Sequence, residues 1–128
     1  MASNPAPGER DSAYDLFRRG SQLLAANHPA AAAVLLERAD RIEPGKASIL
    51  EALGRAYFNL GDLGRAAERF RSIVEINPLD HYAHFGLGLT CKRLGQQTAA
   101  RRHLRMAVFL RPSSEDYRRA LRRLESAA

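Results

Sequence analysis

The chain has 128 residues, 45% of them hydrophobic, which is enough for one continuous core but short for two independent domains. The single cysteine, Cys91, rules out an internal disulfide, and no apolar run reaches the ~20 residues of a membrane-spanning helix. The N-terminus also lacks the apolar core of a secretory signal. We therefore expect a cytoplasmic protein that has no membrane partner.

The formal net charge of +6 is unevenly distributed along the chain. Residues 1–80 carry ten Lys or Arg against eleven Asp or Glu, whereas residues 81–128 carry ten against three. Eighteen of the twenty basic residues are arginine, which pairs in a bidentate manner with carboxylate or phosphate, although a genome rich in Arg codons would give the same count. The basic character of the chain therefore belongs to its last repeat and tail.

In chain order, residues 1–12 are rich in proline and serine and have no periodic apolar positions, so we predict a flexible tail. Apolar residues at helical spacing then predict three pairs of helices, in units of about 13–46, 47–80 and 81–114. A last helix is predicted over about 115–126. Candidate N-cap residues precede three of these helices: Asn27 or His28, Asp62, and Ser113 or Ser114. In the second helix, Glu37 and Arg41 are spaced for an i,i+4 ion pair.

Small residues and prolines recur with a period of 34 residues. The series are Gly20, Gly54 and Gly88; Ala32, Ala66 and Ala100; and Pro44, Pro78 and Pro112. Self-similarity at one period of this length is typical of a helical repeat array. Because glycine inside a helix costs ~1 kcal/mol relative to alanine, each mid-helix glycine predicts the close approach of a neighbouring helix. Larger residues should fill the space between layers, and the predicted core includes Leu53, Tyr57, Phe70, Ile73, Leu87, Leu104 and Ala107.

The central unit contains the most regular pattern of the chain: Leu53, Gly54, Tyr57, Ala66, Phe70 and Pro78. At these residues the chain resembles the tetratricopeptide repeat (TPR) family. The resemblance implies an all-α, right-handed α-solenoid of seven helices, with the first helix of each repeat on the concave wall and the last helix as a cap. It also implies a protein-binding scaffold. The outer repeats depart from the family pattern, as terminal repeats commonly do, at Arg19, Leu23, His84 and Cys91.

The resemblance also places a set of side chains on the concave wall. These are Tyr14, Phe17, Arg18, Glu51, Arg55, Phe58, Asn59, Tyr82, Phe85, Leu89, Lys92 and Arg93. The set holds five of the nine aromatic residues, and four of its five charged residues are basic. Clustered exposed apolar side chains mark partner sites. We therefore predict an adaptor or chaperone-like module that binds an acidic, partly apolar protein segment. The predicted apolar contacts are Phe17, Phe58, Tyr82 and Phe85.

For some residues of this set, the alternative to partner binding is a purely structural role. Tyr14 can pack against the neighbouring helix, and Tyr82 can cover the loop at Pro78. Glu51 and Arg55 are spaced as an i,i+4 pair, which would stabilise their own helix without contacting a partner.

One known TPR activity is not expected for this chain. TPR domains that hold the C-terminal carboxylate of cytoplasmic chaperones use Lys, Asn and Lys or Arg side chains from three first helices. The matching positions here are Phe17, Ser21, Ala52, Tyr82 and Gly86. The polar clamp is missing from the sequence, so we predict a partner of another kind.

The sequence predicts neither an enzyme nor a cofactor or metal site. His81 and His84 lie on one helix near Cys91, but a metal site needs three or four ligands, and no further ligand has a suitable spacing. His84 and Cys91 also occupy packing positions of the family. No Ser/His/Asp arrangement and no glycine-rich phosphate loop is present in the sequence.

Two other functions compete with protein binding. Nucleic acid could bind to the basic residues of the last third, with neighbouring aromatic rings stacking on bases, although a charged run is more often a solvated face. Those residues are Lys92, Arg93, Arg101, Arg102, Arg105, Arg111, Arg118, Arg119, Arg122 and Arg123. Alternatively, the chain could self-associate through its groove or through the apolar stripe of the last helix, formed by Tyr117, Leu121 and Leu124.

Overall fold

The computed structural model describes residues 12–127, all of whose regular structure is α-helical. The helices are α1 (Ala13–Ala25), α2 (Pro29–Ile42), α3 (Ala47–Leu60), α4 (Leu63–Ile76), α5 (His81–Arg93), α6 (Gln97–Leu110) and α7 (Glu115–Ser126). The predicted number and order of helices are confirmed. The predicted flexible tail, apart from Ser12, lies outside the described residues.

The helix starts follow from capping chemistry. Side-chain oxygens accept a backbone N–H at four starts, from the N-cap residues Ser12, Asp62, Asp80 and Ser114. The predicted caps Asp62 and Ser114 are thus confirmed. At α2 the N-cap residue is His28, one of the two predicted candidates, but its side chain makes no cap hydrogen bond, and Asn27 adopts a left-handed φ of 64°. Asparagine tolerates that conformation and ends α1 rather than capping α2.

The helices form two layers. The first helices of the repeats, together with α7, pack side by side in the order α1, α3, α5, α7. Each second helix packs against the helices before and after it, and within residues 12–127 the second helices α2, α4 and α6 make no close backbone contact with one another. The first helices are therefore crowded together, which places them on the inner side of a curved α-solenoid.

The mid-helix glycines admit the side chains of the second helices, as predicted. A Cβ atom on Gly20 would lie 2.7 Å from Leu36, and one on Gly88 would lie 2.8 Å from Leu104. At Gly54 the same atom would lie 2.7 Å from the ring of Phe70. Only glycine permits this spacing without displacing the neighbour. The predicted core residues are also confirmed as buried: Leu53, Tyr57, Phe70, Ile73, Leu87, Leu104 and Ala107.

A polar cluster joins the first and second repeats, and we call it the Glu37 cluster. Glu37 Oε1 accepts hydrogen bonds from the Tyr57 hydroxyl and from Arg69, both at 2.8 Å. Arg69 also lies 3.7 Å from a carboxylate oxygen of Asp40. The predicted Glu37–Arg41 pair was therefore wrong, because the carboxylate turns from its own helix toward the next repeat.

Candidate partner-binding groove

A pocket opens on the concave wall between α3 and α5, and we call it the α3/α5 groove. Its volume is about 250 Å³. Six of the predicted site residues line it, and they are Arg55, Phe58, Asn59, Tyr82, Phe85 and Leu89. The remaining lining residues, Phe70 and Gly86, form its floor. The volume lies below the roughly 300–1,000 Å³ of pockets that hold small molecules, so it suits a single side chain of a bound segment.

The floor of the groove depends on one glycine that the 34-residue series does not include. A Cβ atom on Gly86 would lie 2.6 Å from the ring of Phe70, and the same ring also fills the space at Gly54. Phe70 therefore reaches from α4 between two first helices to the concave wall. The sequence carried a signal for this, namely a second glycine in α5 two residues before Gly88.

Aromatic rings continue from the floor toward the cap. The ring centroid of Tyr82 lies 6.4 Å from that of Phe70 and 6.2 Å from that of Phe85, and the rings of both pairs are tilted relative to each other. Phe85 stacks on Tyr117 of α7 at 4.6 Å. The Tyr117 hydroxyl in turn lies 2.7 Å from Nδ1 of His81. This continuous aromatic surface makes α7 part of the wall as well as a cap, which was not predicted from the sequence.

A second, shallower pocket lies beyond Tyr82 and Phe85, with a volume of about 340 Å³. It shares those two rings with the α3/α5 groove, so the two form one concave surface. Its other lining residues come from the end of α6 and the start of α7: Arg111, Ser113, Ser114, Asp116 and Tyr117. A bound segment can therefore run from the groove along the rings toward the cap.

Charged side chains lie beside the groove. The guanidinium of Arg93 lies 4.8 Å from the ring centroid of Phe58, and Arg55 lines the groove. Glu51, on the same helix as Arg55, does not line it; burial and then the charge of Asp80 raise the pKa of Glu51, while Arg55 lowers it. Burial likewise raises the pKa of the Tyr82 hydroxyl, so that this phenol stays a neutral hydrogen-bond donor.

The predicted residues of α1 are not brought into this pocket. Phe17 is half-buried and packs against the core cluster of the first two repeats. Tyr14 is 65% exposed and Arg18 is exposed, and neither lines the α3/α5 groove. Lys92 is half-buried on α5 and does not line the groove either. The structure thus gathers residues of the second and third repeats in the groove, while the predicted residues of the first repeat, together with Glu51 and Lys92, do not line it.

The histidine and cysteine residues have structural surroundings. His84 is buried, with Nε2 2.7 Å from the carbonyl oxygen of Pro78 and Nδ1 3.1 Å from Nδ1 of His103. In the neutral ring, Nε2 of His84 donates to the carbonyl and Nδ1 accepts from His103. Cys91 is buried, and burial raises the pKa of its thiol. No three His, Cys, Asp or Glu residues form a metal-binding group within residues 12–127.

The arginines of α7 are largely engaged with neighbouring acids. Glu115 accepts hydrogen bonds from Arg122 at 2.8 Å and from Arg118 at 2.7 Å, and these bonds, in that order, lower its pKa to about 2. Arg119 lies 3.5 Å from Asp116. Phosphate binding by this helix would have to displace those carboxylates.

The apolar stripe of α7 is turned toward the core. Tyr117 and Leu124 are buried, and Leu121 is half-buried against the core cluster of the second and third repeats. Self-association through this stripe would therefore require α7 to leave its place. None of the helices described between residues 12 and 127 is both long and apolar enough to cross a membrane.

Comparison with known families agrees with the helical pairs and their period. A model described as tetratricopeptide repeat matches residues 17–78 and 51–115. The chain belongs to the tetratricopeptide repeat family. TPR domains generally serve as protein–protein interaction modules.

Two curated relatives of this TPR chain come from Komagataeibacter xylinus. It is 34% identical over 73 residues to cellulose synthase operon protein C, and 34% identical over 83 residues to cellulose synthase 1 operon protein C. These alignments cover 57% and 64% of this chain. In each case the matched part is 6% of the relative's length, so the relatives are much longer proteins.

Solved TPR domains share the fold at low identity. The first TPR domain of Spaghetti (RPAP3), bound to an HSP90 peptide, is 18% identical with a TM-score of 0.86, covering 91% of this chain and 92% of that one. The Arabidopsis OM64 TPR domain is 16% identical with a TM-score of 0.87, covering 91% and 97%. YrrB, a TPR protein with an unusual peptide-binding site, is 21% identical with a TM-score of 0.81, covering 86% and 57%.

Proposed function

We propose that the chain is a protein-binding adaptor or chaperone-like module whose α3/α5 groove holds an acidic, partly apolar segment of another protein. The observation that carries this proposal is the pocket between Phe58, Tyr82 and Phe85, with Arg55 and Arg93 at its edge. An apolar side chain of the segment enters the pocket, and a neighbouring carboxylate pairs with arginine, which binds carboxylates in a bidentate manner. The role is one of binding rather than catalysis.

The similar folds support a peptide or protein as the partner. The Spaghetti domain binds an HSP90 peptide, and YrrB has a peptide-binding site on the same architecture. A partner held by its C-terminal carboxylate is not proposed here, because two of the positions matching the clamp, Ala52 and Gly86, are buried and carry no polar side chain. The cytoplasmic location predicted from the sequence stays a prediction.

The test begins with a random peptide library selected on the full chain. Acidic peptides with one or two Leu or Phe residues should be enriched. Their affinity should fall by about tenfold or more when Phe58→Ala and Phe85→Ala are combined, since aromatic side chains at the centre of an interface carry most of the binding energy. Circular dichroism checks that the variant keeps its helices.

Tyr14→Ala is the matched control, because Tyr14 is an exposed aromatic residue on a first helix outside the pocket. It should change the affinity by less than about twofold, as peripheral contacts commonly do. If the control weakens binding as much as the groove variant, or if basic peptides are selected, the proposed groove is wrong.

A further inference from the structure

The second pocket of the concave wall, which we call the cap pocket, holds a guanidinium without an acidic partner. The pocket is lined by Tyr82, Phe85, Arg111, Ser113, Ser114, Asp116 and Tyr117. Arg111 is exposed and forms no ion pair with any residue described between 12 and 127; one of its guanidinium nitrogens lies 3.3 Å from Nε2 of His81. Because arginine matches the geometry of carboxylates, an unpaired guanidinium in this pocket indicates a place for an anion.

The hydrogen bonds of His81 also leave the hydroxyl hydrogen of Tyr117 without an acceptor. Arginine can only donate, so Nε2 of His81 accepts from Arg111. In the neutral ring the proton is then on Nδ1, which donates to the hydroxyl oxygen of Tyr117 at 2.7 Å. No other group in the described part of the chain accepts the Tyr117 O–H. Tyr117 is only 7% exposed and lines the cap pocket, so an acceptor bound there would satisfy a buried donor.

The network of Arg111, His81 and Tyr117 is not part of the repeat pattern. The residues 34 positions earlier are Asn77, Ala47 and Ala83, and those 68 positions earlier are Glu43, Ala13 and Ile49. Small or apolar side chains thus take the places of His81 and Tyr117 where the earlier helices pack. Stacking of the repeats therefore does not require this network, and a role in binding accounts for it better.

The charges around the Tyr117 hydroxyl favour an anion. Burial raises the pKa of Tyr117. Of the charges that act on this hydroxyl, that of Arg111 is the largest and lowers the pKa, whereas those of Asp80 and Glu51 are smaller and raise it. The nearest dominant charge is therefore positive.

The other polar groups of the cap pocket limit what it can hold. The Ser114 hydroxyl accepts the backbone N–H of Tyr117 at 3.3 Å, and its hydrogen can donate to a ligand. Asp116 also lines the pocket, and Arg119 lies 3.5 Å from its carboxylate. One guanidinium and two hydroxyl donors beside an acid suit a single carboxylate. A polyanion such as nucleic acid would extend from that point over the carboxylate of Asp116.

We propose that the cap pocket binds a side-chain carboxylate of the segment whose apolar residue occupies the α3/α5 groove. Arg111 and the Tyr117 hydroxyl contact this carboxylate, and His81 is a positioning residue that orients both. The inference rests on the proposed function, since it requires a segment on the concave wall. It adds a recognition residue, Arg111, that lies outside the first helices.

The aromatic rings between the two pockets set the spacing of the recognised residues. The ring centroids of Tyr82 and Phe85 are 6.2 Å apart, and those of Phe85 and Tyr117 are 4.6 Å apart. An extended chain advances about 3.3 Å per residue, so the acidic residue should lie about two to four residues from the apolar one.

The test selects a random peptide library in parallel on the full parent chain and on its Arg111→Glu variant. The peptides are displayed with their C-termini fused to the carrier, so that only side-chain carboxylates are offered. The parent chain should enrich Leu or Phe with Asp or Glu at one fixed spacing. The variant should keep the apolar residue but select Lys or Arg at that spacing, because the charge of its partner is reversed.

A selected peptide is then compared with the same peptide carrying glutamine in place of the acid. The parent chain should bind the acidic form about tenfold more tightly, since hydrogen bonds to charged groups are stronger than neutral ones. In Arg111→Met and in Tyr117→Phe, which keeps the ring, this ratio should fall to about threefold or less, while the affinity for the glutamine peptide stays within about twofold. His81→Leu should lower the ratio too, and His81→Gln, which retains an acceptor, should restore part of it.

Arg123→Met is the matched control, because Arg123 is an exposed arginine of α7 outside the pocket. It should leave the ratio unchanged, and an equal fall would mean that only the general charge of α7 is sensed, which would overturn the inference. An apolar residue selected without an acid at fixed spacing, or equal ratios in the parent chain and the Arg111 and Tyr117 variants, would overturn it while leaving the α3/α5 groove intact. Selection of no apolar residue at all would contradict the groove and the cap pocket together.

Discussion

The first boundary, between repeats one and two, and the second, between repeats two and three, have the same helix arrangement but different side chains packed between the helices. At the first boundary, Leu36 reaches from α2 against Gly20, and Ala52 stands at the facing position of the next first helix. At the second boundary the equivalent residues are Phe70, Gly54 and Gly86. A larger side chain on the second helix is thus matched by a smaller one on the next first helix. The phenylalanine reaches the concave wall, and the pocket forms there.

The outer sides of the same boundaries differ in charge. At the first boundary, Glu37 is bonded to Tyr57 and Arg69. At the second boundary the equivalent positions hold Arg71, Cys91 and His103. His103 bonds to His84 instead of to an acid. The period therefore dictates where the helices pack, while the residues between signature positions decide what each boundary can bind.

The largest effect is expected from Phe70→Ala. Removing a buried ring that is packed between two glycines leaves a cavity, and such changes cost about 3–5 kcal/mol of unfolding free energy. Urea denaturation measures this loss. Phe109→Ala, which removes an exposed phenylalanine, should stay within about 0.5 kcal/mol of the parent chain. A comparable loss at both positions would mean that Phe70 is not packed as described.

Gly86→Ala is expected to destabilise by about 1–3 kcal/mol, because its Cβ would overlap the ring of Phe70. Adding Phe70→Leu to this variant should recover most of the lost stability, because the first boundary combines the same two residue types, Leu36 and Ala52. The two changes should therefore be coupled in a double-mutant cycle by about 0.5–3 kcal/mol. Gly64→Ala is the control, because open space surrounds that helical glycine and alanine should stabilise by up to ~1 kcal/mol. If the changes in unfolding free energy caused by Phe70→Leu and Gly86→Ala simply added, the described contact between these two residues would be wrong.

Arg69→Met tests the charged first boundary. It leaves Glu37 with Tyr57 as its partner and removes the contact to Asp40, so we expect a loss of about 1–2 kcal/mol. Thermal or urea unfolding measures it. Arg65→Met removes an exposed pair with Asp62 and should change stability by less than about 0.5 kcal/mol. Equal effects would show that the Glu37 cluster adds nothing beyond a surface pair.

A further effect concerns the second boundary, and it depends on pH. Burial, followed by the charges of His84, Arg102 and Arg71, lowers the pKa of His103 from 6.5 to about 4. Between those values the unfolded chain binds the proton and the folded chain does not, so stability is complete above pH 6.5 and falls as the pH drops toward 4. His103→Gln should flatten this part of the stability curve. An identical curve for parent and variant would contradict a half-buried His103 ring that stays neutral in the folded chain.

The sequence was sufficient for the architecture but not for the site. Period and helical spacing predicted every helix, and the mid-helix glycines predicted the close packing that Leu36, Phe70 and Leu104 make. The role predicted for Phe17 stays a prediction: the half-buried ring packs against the core cluster and does not line the α3/α5 groove, and repeat spacing alone does not show how each first helix is rotated. Likewise Glu37 pairs across the repeat boundary, which spacing within one helix cannot reveal.

The central claim is that the Phe70–Gly86 combination creates the binding pocket. The double variant Phe70→Leu with Gly86→Ala tests it most directly, because the variant is expected to keep the fold while giving the second boundary the residues of the first. Peptides selected on the parent chain should bind this variant about tenfold more weakly or worse, at nearly unchanged stability. Unchanged affinity in a stable double variant would contradict the account.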